Sequence, residues 1–101
     1  MARRTREVAH RVVFRRWREG GVIALFPEIP ATIHGEYCLS YARVGQHAAA
    51  DYHAVVNHSR PAAPPEYAAL ADELTRLGYR LTPLRRASRR HHQRRSAAKS
   101  A

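Results

Sequence analysis

Residues 11–27 read Arg11-Val12-Val13-Phe14-Arg15-Arg16-Trp17-Arg18-Glu19-Gly20-Gly21-Val22-Ile23-Ala24-Leu25-Phe26-Pro27. Apolar and basic residues are interleaved from Val8 to Trp17. Val12 and Phe14 share one face of an extended chain, and Arg11, Val13 and Arg15 share the other. This period of two, with β-branched and aromatic side chains, predicts a strand. Glu19-Gly20-Gly21 follows, and glycine reaches the positive φ that a tight hairpin turn requires. Val22 to Phe26 is apolar on both faces, as an inner strand is, and Pro27 is expected to end it because proline removes a ladder donor. A β-hairpin therefore organises the chain.

Downstream, 27–35 reads as a loop with two prolines, and Glu36 to Val44 as a third strand. Tyr37, Leu39 and Tyr41 lie on one face of that strand, with Cys38, Ser40 and Ala42 on the other. Gly45-Gln46-His47 breaks it. Asp51 is placed to cap a short helix through Asn57, with Tyr52, Val55 and Val56 at helical spacing. Pro64 or Pro65 suits a first helical turn, where the missing N–H is no loss. Tyr67, Leu70, Leu74 and Leu77 then form one apolar stripe, and Gly78 stands where a left-handed C-cap glycine belongs. Tyr79 to Thr82 resumes period two, with Pro83 placing that strand at a sheet edge or ending it.

The expected fold class is α+β: a small antiparallel sheet of about four strands in the order β-β-β-α-α-β, with one main helix on one face. Its expected core is Val12, Phe14, Leu25, Leu70, Leu74, Leu77 and Leu81.

The chain has 101 residues and a net charge of +10, from 18 Lys+Arg against 8 Asp+Glu. That charge is segregated. Residues 1–18 carry a net of +6 and residues 85–101 a net of +7, while residues 19–84 are acidic at −3. Residues 87–101 hold no aliphatic side chain larger than alanine. Ordering costs roughly 1–2 kcal/mol per residue, and such a segment has little apolar surface to offset it. The expected organisation is a basic arm over 1–8, one domain over 9–84 and a disordered Arg-rich tail over 85–101. Composition argues against a membrane span, a disulfide scaffold and a wholly disordered chain. With one cysteine and no apolar run beyond Val22 to Phe26, a cytoplasmic location is expected.

The segments ALFPE, Tyr37-Cys38-Leu39-Ser40-Tyr41, Gly45-Gln46-His47, Pro65-Glu66-Tyr67 and Leu77-Gly78-Tyr79 together resemble a group of short, uncharacterised proteins of bacterial mobile elements and phages. The likeness spans roughly residues 12–82 and implies a genetic context and a fold, without an activity. Ala48 stands where the group's pattern has Gly, and Ala63 where it has a capping Thr.

Sites follow from residue chemistry. Cys38 and His47 are the residue types of a thiolate–imidazole pair, with Glu36 or Asp51 to orient the ring. The plainer reading is a buried strand cysteine. Cys38, His34, His47, His53 and His58 fit no metal-ligand spacing, so no metal or cofactor is expected. Tyr41, Gln46 and His47 form a candidate partner-binding loop. Arginine offers phosphate a planar fork of donors. Arg3, Arg4, Arg6, Arg11, Arg15, Arg16, Arg85, Arg86, Arg89, Arg90, Arg94 and Arg95 are therefore the candidate nucleic-acid contacts, with Trp17, Tyr37 and Tyr41 as stacking platforms.

The expected function is a small, non-enzymatic protein that associates with RNA or DNA through Arg-rich ends, largely without sequence preference. The alternative is a mobile-element modulator that binds and inhibits a host or defence protein. No membrane partner is expected, and the chain is taken as a monomer or homodimer. Ala63 precedes the main helix without a side-chain acceptor. Ala63→Thr is accordingly expected to stabilise the protein by about 1 kcal/mol, read as a raised denaturation midpoint in urea.

Overall fold

Strand β1 (Ala9–Trp17) keeps the alternation read from its sequence and pairs antiparallel with β2 (Val22–Pro30), setting Val13 opposite Leu25 and Phe14 opposite Ala24. The computed structural model describes residues 9–33, 35–42 and 46–98. The hairpin turn closes where Gly20 N–H donates to Trp17 O and Trp17 N–H to Gly21 O, both at 3.0 Å. Gly20 and Gly21 have φ of +104° and +95°, a conformation that side chains with a Cβ rarely adopt.

Pro27 does not end β2. The strand continues to Pro30 with Pro27 fully buried, because pairing with β3 (Cys38–Tyr41) shifts register between Phe26 and Pro30 and asks no ladder bond of the proline nitrogen. β3 is shorter than the strand expected over 36–44, and 43–45 lie outside the described residues. His47, expected in a break, instead begins β4 (His47–Ala50), antiparallel to β3. Ala48 is a strand residue there, opposite Ser40, whose hydroxyl donates to its carbonyl at 3.0 Å.

Helix α1 (Tyr52–Asn57) is capped as read: Asp51 Oδ1 accepts from Ala54 N–H at 3.2 Å. β5 (Ser59–Pro61) then lies antiparallel beside the last residues of β1. After helix α2 (Pro64–Arg76), β6 (Arg80–Leu84) runs parallel beside the first residues of the same strand. The sheet thus has six strands, ordered β4-β3-β2-β1-β5 with β6 also on β1. It is an α+β fold, antiparallel except for the β1–β6 pair.

One face of the sheet carries Val12, Phe14, Ala24, Phe26 and Tyr41 under Leu70 and Leu74 of α2. Phe14 and Tyr67 stack with centroids 4.1 Å apart. Leu25, expected in this core, is buried on the opposite face with Val13, Ile23, Cys38, Ala50, Tyr52 and Val55. Leu77 ends the stripe outside the core, 55% exposed. It is the C-cap residue, and Gly78 at φ +107° then reverses the chain. Tyr79 N–H bonds Leu74 O and Gly78 N–H bonds Thr75 O, closing a Schellman motif that delivers Tyr79 onto Phe26 at 5.1 Å.

The largest departure concerns the tail. Residues 89–98, expected to be disordered, form helix α3 (Arg89–Ala98) against β2, so the folded domain does not stop at residue 84. Its inward residues are His91, His92 and Arg95, spaced as a helix requires but all polar. Arg95, 8% exposed, donates from Nη1 to Pro27 O (2.7 Å) and from Nε to Gly35 O (2.9 Å). Hydrogen bonds from a charged donor contribute about 1.5–3 kcal/mol each, and here they do the work an apolar stripe does elsewhere.

Leu74→Ala is expected to destabilise the domain by about 2–5 kcal/mol, and Leu77→Ala by under about 0.5 kcal/mol. Chemical denaturation of the two variants checks this ranking.

Candidate functional site

The end of β1 and the whole of β5 form a rim of the sheet. Ser59 is opposite Trp17 there, and Arg60 is opposite Arg16. Like charges directly opposed on a sheet repel. Glu66, in the first turn of α2, resolves the conflict. Its carboxylate takes Arg60 Nη2 at 2.6 Å and Nη1 at 2.9 Å, with Arg16 Nε at 3.5 Å. It also accepts Ala63 N–H at 2.8 Å, which partly replaces the cap that Ala63 lacks. These bonds, those of Arg60 foremost, hold the Glu66 carboxyl down at about 2. A cleft of about 370 Å³ opens at this rim, lined by Arg16, Trp17, Arg18, Ser59 and Arg60.

Arg15 lies behind the rim and is buried, 6% exposed. Its Nε donates to Ser59 Oγ (3.0 Å), and its Nη2 donates to Ser59 O (2.7 Å) and Val56 O (3.1 Å). Burial lowers its pKa, with Tyr52 opposing that shift and the charges of Arg85 and Arg86 adding to it. Arg85 also lines a smaller cleft of about 210 Å³ with Phe14, Pro61, Tyr67 and Pro83. The chain then carries the basic surface on to Arg89 and Arg90, exposed at the start of α3.

At the other end of α3, Arg94 Nη1 meets Glu28 Oε2 at 2.6 Å and Arg11 Nη1 meets Glu28 Oε1 at 3.3 Å. Burial pushes the Glu28 carboxyl up, but the two guanidiniums outweigh it and the net shift is down. His92 Nδ1 accepts from Arg95 Nη1 at 2.8 Å, because guanidinium has only donors. The neutral ring then carries its proton on Nε2, which is buried without a partner. The rings of Tyr52 and His53 lie 4.8 and 5.2 Å away.

The arginines expected to bind phosphate therefore divide. Arg85, Arg86, Arg89 and Arg90 face outward, and Arg16 is held at the rim. Arg15 and Arg95 are corrected to inward ties, since their donors are spent on carbonyls and on Ser59 and His92. Arg11 and Arg94 are engaged by Glu28. Arg3, Arg4 and Arg6 lie outside the described residues. Arg60 was not among the expected contacts. Nothing near it in sequence marks it, and only the β5–β1 pairing brings it to the rim.

The expected loop site is only partly assembled. Tyr41 is buried and donates to Glu73 Oε2, so it offers no stacking surface. His47 is exposed, 4.6 Å from the Tyr41 ring, with Nε2 3.1 Å from Tyr79 OH. Gln46 is exposed beside it. Tyr37 is exposed, and Trp17 shares its cleft with Arg16, Arg18 and Arg60. Cys38 and His47 lie on opposite faces of the sheet, because His47 pairs with Tyr41 and Cys38 with Ala50. Asp51 caps α1, and Glu36 Oε1 accepts from Thr32. Among the described residues no three His, Cys, Asp or Glu side chains converge on a metal-sized site, and His34 lies outside them. No described helix is long and apolar enough to cross a membrane.

No protein-family model, curated protein or solved structure matches the chain.

Burial lowers the pKa of His92 from the ordinary 6.5, and the charges of Arg95, His53 and His91 lower it further. The unfolded chain thus takes up a proton there more readily than the folded one. Docking of α3 is complete above pH 6.5 and weakens as the pH falls below that value towards the lowered one. Helical Cα chemical shifts of 89–98 are expected to fade as the pH is lowered below about 6.5, and His92→Gln to flatten that dependence.

Proposed function

We propose that this is a small, non-enzymatic binding protein that holds nucleic acid through an ordered arginine surface. The observation that carries the reading is the exposure of Arg18, Arg85, Arg86, Arg89 and Arg90 on ordered parts of the fold. The residues lining the Trp17 cleft include three arginines and no acid, and Glu66 behind it engages Arg60 and Arg16. Guanidiniums on a folded scaffold lose less entropy on meeting phosphate than those of a floating tail. Binding of this kind follows backbone charge and carries little sequence preference. Separation of Cys38 from His47 removes the nucleophile–base pair that an enzymatic reading would use. The expected setting is the cytoplasm, in the mobile-element context of the proteins the sequence resembles.

A second reading, a modulator that binds a host or defence protein, draws on a different feature. β4 is an edge strand with His47, Ala48 and Ala49 exposed, and Ile33 and Tyr37 are exposed large side chains. An open edge of this kind can accept a partner's strand.

Binding of the full-length protein to RNA, single-stranded DNA and duplex DNA across a salt series tests the first reading. Each phosphate contact contributes about −0.7 to −0.9 to the slope of log K against log salt. Changing Arg85, Arg86, Arg89 and Arg90 together to Gln is expected to flatten that slope by about 3. No binding near physiological salt would overturn the reading. Protein partners that survive nuclease treatment in a pull-down would then favour the second.

A further inference from the structure

Two clefts border the rim, and they differ in chemistry. The one containing Phe14, Pro61, Tyr67 and Pro83 is apolar, with Arg85 as its one charged residue. The one at the hairpin end combines an aromatic plane with the guanidiniums of Arg16, Arg18 and Arg60, two of them paired to Glu66. We propose that this second cleft, around Trp17, seats one unpaired base of a single-stranded nucleic acid, stacked on the indole, with an adjoining phosphate held by Arg18. The inference rests on the nucleic-acid reading above and adds to it a site and a strand preference.

Four observations support it. Trp17 is half-buried, fixed along one side against the core of Val13, Ile23 and Leu25, and among the described residues no ring stacks on it. A plane held in this way is a stacking surface already ordered before a base arrives. Arg16 and Arg60 are oriented by Glu66, so their positions are set without the ligand. Arg18 is exposed and follows Trp17 directly, placed to meet a phosphate next to the stacked base. The cleft volume, about 370 Å³, is near the lower end of the range for small-ligand sites and suits one base rather than a duplex end.

Strand preference follows from geometry. In a duplex both faces of each base are covered by its neighbours, so an indole gains a base only where the stack is already open. Guanidiniums alone bind both forms of nucleic acid. The indole separates them.

The chain has one tryptophan, so its fluorescence reports this cleft alone. The test titrates the full-length protein with a short single-stranded oligothymidylate and with a duplex of equal length, reading Trp17 emission and the anisotropy of labelled nucleic acid together. Single strand is expected to quench the emission and the duplex to leave it unchanged. Trp17→Leu is expected to weaken single-strand binding about tenfold or more and duplex binding little, with Trp17→Phe restoring most of the loss. Arg18→Glu, at an exposed position, is expected to weaken single-strand binding and quenching together in a protein that keeps its fold.

Anisotropy showing salt-sensitive binding, with unchanged Trp17 emission and unimpaired Trp17→Leu and Arg18→Glu variants, would overturn the cleft while leaving phosphate binding intact. Equal quenching by duplex would overturn the strand preference. If neither nucleic acid raises the anisotropy, the cleft and the broader reading fall together.

Discussion

Strand β1 is hydrogen-bonded along both edges, and the rest of the structure depends on that. β2 takes one edge, while β5 and β6 divide the other, antiparallel beside its end and parallel beside its beginning. Its residues then alternate between two cores. Val12 and Phe14 serve the α2 side, and Val13, Arg15 and Trp17 serve the other. A slip of one residue would set Arg15 beneath α2 and lift Phe14 away from Tyr67. Apolar pairing from three directions excludes that slip, and the same pairing places Trp17 and Arg16 beside Ser59 and Arg60.

Arginine has two occupations in this chain, separated by burial. Arg15 and Arg95 are inside, and each spans several elements because a guanidinium carries five donors in a fixed fork. Arg15 ties β1 to the α1–β5 junction, and Arg95 ties α3 to β2 and to Gly35. Their acceptors are mostly carbonyls that strand pairing has left available, such as Pro27 O at the register shift. Placing charge in such a site costs desolvation, which multiple bonds offset. The outward arginines are then displayed by a scaffold that other arginines help to hold. Net charge alone therefore overstates what a ligand can meet.

What the sequence revealed and what it hid have physical reasons. The alternation of Val12 to Trp17, the stripe of Tyr67, Leu70 and Leu74, and the Asp51 cap each express a local preference that the fold keeps. β4 expresses none, since His-Ala-Ala-Ala has no strand-forming side chains and its pairing is supplied by β3. α3 was hidden because its inward stripe is His91, His92 and Arg95, which hydropathy reads as solvent-facing. One local sign was present: Ser88 precedes the helix, and its N–H donates to His91 Nδ1 at 2.9 Å, in the manner of a capping box. Arg60 and the separation of Cys38 from His47 depend on strand register, which spacing along the chain does not contain. The aromatic–basic character of residues 15–18 was legible, whereas the cleft around them required β5.

Cys38 is the chain's one cysteine and has no solvent exposure. Burial pushes its thiol up to about 11, against the pull of the Arg95 guanidinium. Nucleophilic attack and air oxidation both proceed through thiolate, which is scarce here at neutral pH. Burial and the raised thiol together disfavour disulfide formation at Cys38 in the folded protein. It can also be dye-labelled selectively at a cysteine introduced on its surface, with the native thiol left in place as part of the core.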